Sequence, residues 1–412
     1  MALARVLGPV RATGLGAGSM LGAGIFVAVG PVVGRAGDAA VPAVLLAAMV
    51  AGLNATASAR LARRMPAAGG TYVFARECLG PTWGHLAGWV FVVGKTASCA
   101  AMALAVGAHL WPGHATSAAI LAVVILTLVD LAGARRSADA LTASAALVVI
   151  VVGGLVLLLL ERGAVVAPAP PTDGLDVVQA AALLFFAFAG YARLATLGEE
   201  VRDPERTIPR AVAVSFVLVT ALYLLVALAV SRTLPADVAS ASDRALADAV
   251  DTLGHPALST VVAATAVVAA GGALLSLLGG VSRTVLAMSR DRHLPARLAR
   301  ESSRGVPASA QVAVSLVVVA ALPFVGAVEA VAASSGCVLV YYALTNASAL
   351  TLDGHGLPAG APGRRRRAAL RMLARLGAAG CLLLVLALPL AGVLWTLAVV
   401  LVGLLAGRVT RR

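Results

Sequence analysis

The chain has 412 residues, of which 60% are hydrophobic and 12% charged, with a formal net charge of +13 and a mean hydropathy of +0.95. Soluble domains carry about a quarter charged residues, so this composition excludes a water-soluble enzyme or a nucleic-acid-binding module and points to a membrane protein.

About twelve apolar segments follow one another, near 12–33, 39–59, 84–110, 115–134, 138–160, 176–198, 208–230, 257–282, 309–327, 329–351, 370–388 and 390–407. Such runs suffice to cross a hydrocarbon core of about 30 Å as helices, which predicts an all-α, multi-pass protein with no sizeable soluble domain. The first run is too long for a cleavable signal and reads as an uncleaved helix. Lys95 is the only lysine, and with a cytoplasmic N-terminus only Arg35, Arg162, Arg232 and Arg244 fall outside. The positive-inside rule therefore predicts both termini in the cytoplasm of a cell whose cytoplasmic (inner) membrane holds the chain. The run Arg364 to Arg367 reads first as topology-setting charge, with contact to anionic lipid headgroups as the alternative. Cys78, Cys99, Cys337 and Cys381 lack metal-type spacing and read as packing residues. The histidines fall at segment ends or in loops and read as interfacial.

Segment 1 contains "GLGAGSMLGAGIF" at 14–26, with glycine at 14, 16, 18, 22 and 24. Each glycine costs a helix interior about 1 kcal/mol relative to alanine, so the sequence predicts an interruption here, with close helix packing as the other use of small residues. Segment 3 contains Gly94–Lys95–Thr96, which resembles the end of a phosphate-binding loop. The required first glycine is replaced by Trp89, and the lysine lies mid-helix, so nucleotide chemistry is excluded. A mid-bilayer lysine costs about 2.5–3.5 kcal/mol on insertion scales and is expected to face a cavity or a partner.

Segment 6 and its sequel read "LLFFAFAGYARLATLGEEVRDPERTIPRA" at 183–211. A charged residue inside a span usually marks function, and Arg193 is expected to pair with Glu199 or Glu200. Break candidates five helices apart have opposite orientations, the arrangement of inverted repeats around a midplane site. Freed N–H groups suit a carboxylate and freed carbonyls an ammonium group, so an amino acid fits such a site. Met20, Leu21, Phe186 and Phe188 would then select its side chain.

These stretches, with "MPAAGGTYVFARECLGPTWGHLAGW" at 65–89 and "SRTVLAMSRDRHLP" at 282–295, resemble the amino acid, polyamine and organocation (APC) family of permeases. The resemblance spans most of residues 10–310. It implies a five-plus-five inverted repeat of the leucine-transporter type, with helices 1 and 6 interrupted and alternating access around a central amino acid. It also implies a site lined by Ser19, Met20, Leu21, Gly22, Ala23, Gly24 and Ile25 together with Phe186, Ala187, Phe188, Ala189, Gly190 and Tyr191. Two features depart from the family pattern. Segment 5 lacks the lysine many members carry there, and Gly94–Lys95 stands where members often have a Glu–Tyr pair. Lys95 is therefore a candidate to replace that lysine in coupling, by holding a positive charge near the core or exchanging a proton, set against the leading reading of a structural ion pair or a carbonyl-satisfied lysine; Arg193, Glu199 and Glu200 are further coupling or gating candidates.

The expected organisation is a transport core over 1–353, with repeats at about 10–160 and 176–352, followed by a basic loop and two further helices over 354–412. The expected function is secondary transport of amino acids by exchange or proton coupling, without enzymatic activity, cofactor or nucleic-acid partner, by a monomer or homodimer in the bilayer. A membrane-embedded amino-acid sensor is the alternative.

Overall fold

The computed structural model describes residues 8–65, 69–132, 137–162, 172–191, 201–302, 305–352 and 363–409. They are predominantly helical. The helices are α1 (Pro9–Val27), α2 (Val29–Ala36), α3 (Ala40–Arg64), α4 (Thr71–Leu79), α5 (Pro81–Leu110), α6 (Ala115–Leu131), α7 (Ser137–Arg162) and α8 (Gly174–Phe188). The second half comprises α9 (Pro204–Thr233), α10 (Ala236–Ala241), α11 (Ala245–Asp251), α12 (Pro256–Arg290), α13 (Ala308–Ala321), α14 (Ala327–Thr351), α15 (Arg364–Ala387) and α16 (Leu390–Val409). Among the described residues, 10 helical stretches are long and apolar enough to cross a membrane, and α8 and α13 are shorter apolar helices. The protein is thus an all-α, polytopic membrane protein.

The glycine-rich stretch does not unwind. α1 runs unbroken through it to Val27, and the interruption of segment 1 stands at Ala28, one residue before α2 begins. The cause lies one turn further on: Pro31 has no N–H to offer the Val27 carbonyl four residues back, and its ring crowds that carbonyl. The glycines serve packing instead. A β-carbon at Gly18 would lie 3.0 Å from the Leu141 carbonyl carbon of α7, and one at Gly22 would lie 2.8 Å from the Ala269 carbonyl oxygen of α12. Small residues let helix backbones approach where lipid offers no hydrophobic driving force, and those contacts outweigh the intrinsic cost of glycine.

In segment 6 the α-helix stops where aromatic residues give way to glycine. α8 has 15 residues and ends at Phe188, followed by a tight turn over Ala189–Tyr191. At about 1.5 Å per residue it is too short to cross the apolar core alone. Its start is fixed by a capping box in which the Asp173 carboxylate accepts from the Asp176 N–H and Asp176 accepts from the Asp173 N–H.

α4 is a short helix that joins α3 to α5 and is fastened to the end of α12. The Tyr72 hydroxyl donates to Asp291 Oδ2 at 2.5 Å, and Arg76 Nη1 donates to the same oxygen at 3.0 Å. Burial pushes the Tyr72 phenol above its usual range, the hydrogen bond and charge of Asp291 push the same way, and Arg76 opposes them. A raised folded-state value means that the stability contribution is complete below the ordinary phenol value of about 10 and is lost as pH rises through the folded value. Tyr72→Phe is therefore expected to cost about 1.5–3 kcal/mol, with the same deficit at about pH 6 and about pH 9. Thermal unfolding of the two proteins at both pH values measures it; a deficit that shrinks between them would contradict this account.

Candidate functional site

The two stretches singled out in segments 1 and 6 meet. The turn after α8 lies so close to α1 that a β-carbon at Gly190 would come within 2.5 Å of the Ser19 carbonyl carbon and 2.7 Å of the Met20 nitrogen. One turn along, a β-carbon at Gly24 would lie 2.9 Å from the Ala187 Cα and overlap its β-carbon. Glycine at 24 and 190 is what allows these backbones to cross in contact.

The end of a helix in an apolar medium leaves backbone groups that need partners. Hydroxyls from α14 and α9 bond the backbone around this point, the Ala189 carbonyl beyond the end of α8 among them. Ser335 Oγ accepts from the Phe186 N–H at 3.1 Å and donates to the Leu183 carbonyl at 3.2 Å, inserting into the last turn of α8. Tyr342 donates to the Ala189 carbonyl at 3.3 Å, and Tyr223 donates to the Met20 carbonyl at 2.7 Å. Sequence reasoning missed these three residues. Ser335 and Tyr342 are seven apart in an apolar segment and so share a helix face, a signal that was present in "SSGCVLVYY".

The side chains at the crossing are closely packed. Met20, Leu21, Ile25, Phe186, Ala187, Phe188 and Ala189 are all buried, whereas Ser19 is half-buried and its hydroxyl donates to the Leu15 carbonyl at 2.7 Å. Phe188 packs against Tyr223 and Phe216 of α9, with ring centroids 5.2 and 5.5 Å away. Gly22 faces α12 rather than α8. Ala23 belongs to α1 and Tyr191 closes the turn. Arg193, Glu199 and Glu200 lie outside the described residues.

Lys95 stands at the level of this crossing. Its neighbour Gly94 abuts Cys337, and Ser98 Oγ lies 2.6 Å from Ser334 Oγ, so residues 334–337 of α14 touch α5 beside Lys95 while Ser335 reaches the end of α8. Lys95 is 7% exposed and has no hydrogen bond or ion pair among the described residues. No Asp or Glu is buried among the described residues either, so the charge has no fixed counter-ion there.

A small pocket opens at the interruption of segment 1, lined by Val27 and Pro31, Leu104 and Ala105 of α5, Asp243 of the α10–α11 turn, and Ala327 of α14. One turn on from Ala105, His109 has Nδ1 2.9 Å from the Ala105 carbonyl and its ring edge-on to Phe26. His85 and His109 are 2% and 6% exposed, which corrects their reading as interfacial residues: both point into the bundle from helix ends.

Comparison with known proteins shows which family carries this bundle. Residues 13–353 match the model of the amino acid permease family. The chain belongs to the amino acid permease family. The permease is 48% identical to an uncharacterized transporter of Mycobacterium tuberculosis (strain H37Rv), over 99% of this chain and 92% of the relative. It is 28% identical to human cationic amino acid transporter 4, over 70% of this chain and 50% of the relative. A serine/threonine exchanger of Bacillus subtilis is 26% identical over 71% of this chain and 70% of its own length.

Proposed function

We propose that the permease moves amino acids across the cytoplasmic membrane by alternating access, with the zwitterion held where α1 crosses the end of α8. The observation that carries this reading is the approach of Gly190 to Ser19 and Met20, which sets the end of an interrupted helix against a second helix at mid-bundle. Hydrogen-bonding groups at such a point are scarce in lipid and valuable to a charged solute. Ser19 to Ile25 and Phe186 to Tyr191 line the site on this reading. Segments 1–5 and 6–10 act as inverted repeats within a transport core over 1–353, and the helices after 354 are an appendage. Both termini face the cytoplasm, where the arginines concentrate.

Lys95 is the coupling residue of this proposal. Either it keeps a positive charge beside the crossing or it exchanges a proton during the cycle. In support, it lies level with the end of α8 and lacks a counter-ion among the described residues.

The test is protection at the crossing. Ser19→Cys in the full-length protein should react with a small thiol reagent at the new position, identified by peptide mass spectrometry. An amino acid that the protein transports should slow that reaction several-fold. Labelling at position 19 unaffected by any transported amino acid would remove the site from this crossing.

A further inference from the structure

From residue 354 to the end, the sequence has nine arginines and no acidic residue. α15 begins within this stretch, at the run Arg364 to Arg367, and Arg371 and Arg375 follow. Its first turn therefore sets several cations at the positive end of a helix dipole, where anions are favoured. Gly363, the N-cap, supplies no side-chain hydrogen bond, and no acidic residue occupies the first turn. Nothing in the helix itself offsets this accumulation.

Arg367, Arg371 and Arg375 recur every fourth residue and so form one face. Arg365, Arg366, Arg371 and Arg375 are exposed, and none of these five arginines has an ion pair among the described residues. Arg367 Nε is buried and has no hydrogen-bond partner among the described residues. Neighbouring helices fix the depth. Arg60, near the basic end of α3, reaches the Leu370 carbonyl at 3.5 Å, whereas Gly377 packs against Asn346 within α14. Arg375 lies five residues beyond Leu370, about 7.5 Å deeper at 1.5 Å per residue. It is flanked by Met372 and Leu376, themselves 52% and 51% exposed. Exposed arginine interleaved with exposed apolar side chains marks the boundary between headgroups and hydrocarbon, where long basic side chains extend toward phosphate.

We propose that this face of α15 is a binding site for anionic phospholipid, with the phosphodiester seated on Arg367, Arg371 and Arg375 and the acyl chains along Met372 and Leu376. Topology-setting charge requires only basic residues in the loop. It does not require Arg371 and Arg375, which lie two and three turns inside the helix, unpaired among the described residues. The anion offsets the cation-rich first turn. This inference does not depend on the transport proposal.

The experiment is native mass spectrometry of the full-length protein in detergent, titrated with phosphatidylglycerol or with phosphatidylcholine of the same acyl chains. Wild type should retain phosphatidylglycerol at least about tenfold more tightly, and R371Q/R375Q should weaken that retention roughly tenfold to thirtyfold, as expected for two cations removed from an anionic surface. R35Q, at the opposite end of the bundle, should leave it unchanged. Equal retention of the two lipids by wild type, a measurement that needs no variant, would overturn the proposal. So would unchanged retention in R371Q/R375Q, or complete displacement of the lipid by millimolar inorganic phosphate, which would identify a free-phosphate site.

Discussion

Gly190→Ala is expected to reduce amino acid uptake by more than tenfold while the protein remains folded. The added β-carbon would stand 2.5 Å from the Ser19 carbonyl carbon and 2.7 Å from the Met20 nitrogen. Both are backbone atoms, so no side-chain rotation relieves the clash and α1 must move away from the turn after α8. Overpacking of this kind costs about 1–3 kcal/mol. A shift in the site geometry worth only about 1.4 kcal/mol already amounts to about tenfold in rate. Gly154→Ala is the matched control, because a β-carbon there meets nothing within 4 Å. Initial uptake rates per monodisperse protein compare the two. A Gly190→Ala protein that transports at the wild-type rate would show that the crossing is free to open without consequence.

Lys95→Met should move stability and activity in opposite directions. The ammonium is buried without an ion pair among the described residues, and an unpartnered buried charge is replaced by an apolar side chain of similar length at a gain of about 1–3 kcal/mol. The unfolding temperature should therefore rise. Proton-driven uptake should fall by at least about tenfold if Lys95 carries the charge or the proton of the cycle. A variant that is more stable and still couples uptake to a proton gradient would leave Lys95 a structural residue.

The fold class was legible in the sequence because a bilayer leaves few choices: apolar runs of sufficient length become helices. That Ser19–Gly24 and Ala187–Gly190 belong together was legible because both stretches carry glycine inside an apolar segment, although on α1 the meeting falls on unbroken helix. What the sequence misled on was the place of the first interruption. Glycine propensity measured in water overstates the cost of Gly14, Gly18 and Gly22, whose missing side chains are used by α7 and α12. The true breaker, Pro31, lay one turn beyond the stretch that drew attention. Ser335 was hidden because a serine or threonine hydroxyl in a membrane helix ordinarily bonds its own backbone, as those of Ser19 and Thr345 do. Only the packing of α14 against α8 separates the two uses. Lys95 was recognisable as costly, but the absence of a carboxylate partner among the described residues depends on which helices face it.

The account stands or falls on transport itself. The most direct measurement is uptake of labelled amino acids into proteoliposomes of the purified protein, with and without unlabelled amino acids inside and with an imposed proton gradient. The account predicts saturable accumulation that depends on internal amino acid or on the gradient, and that Gly190→Ala abolishes. Binding of an amino acid to folded protein with no accumulation under any of these conditions would contradict it and identify a sensor instead.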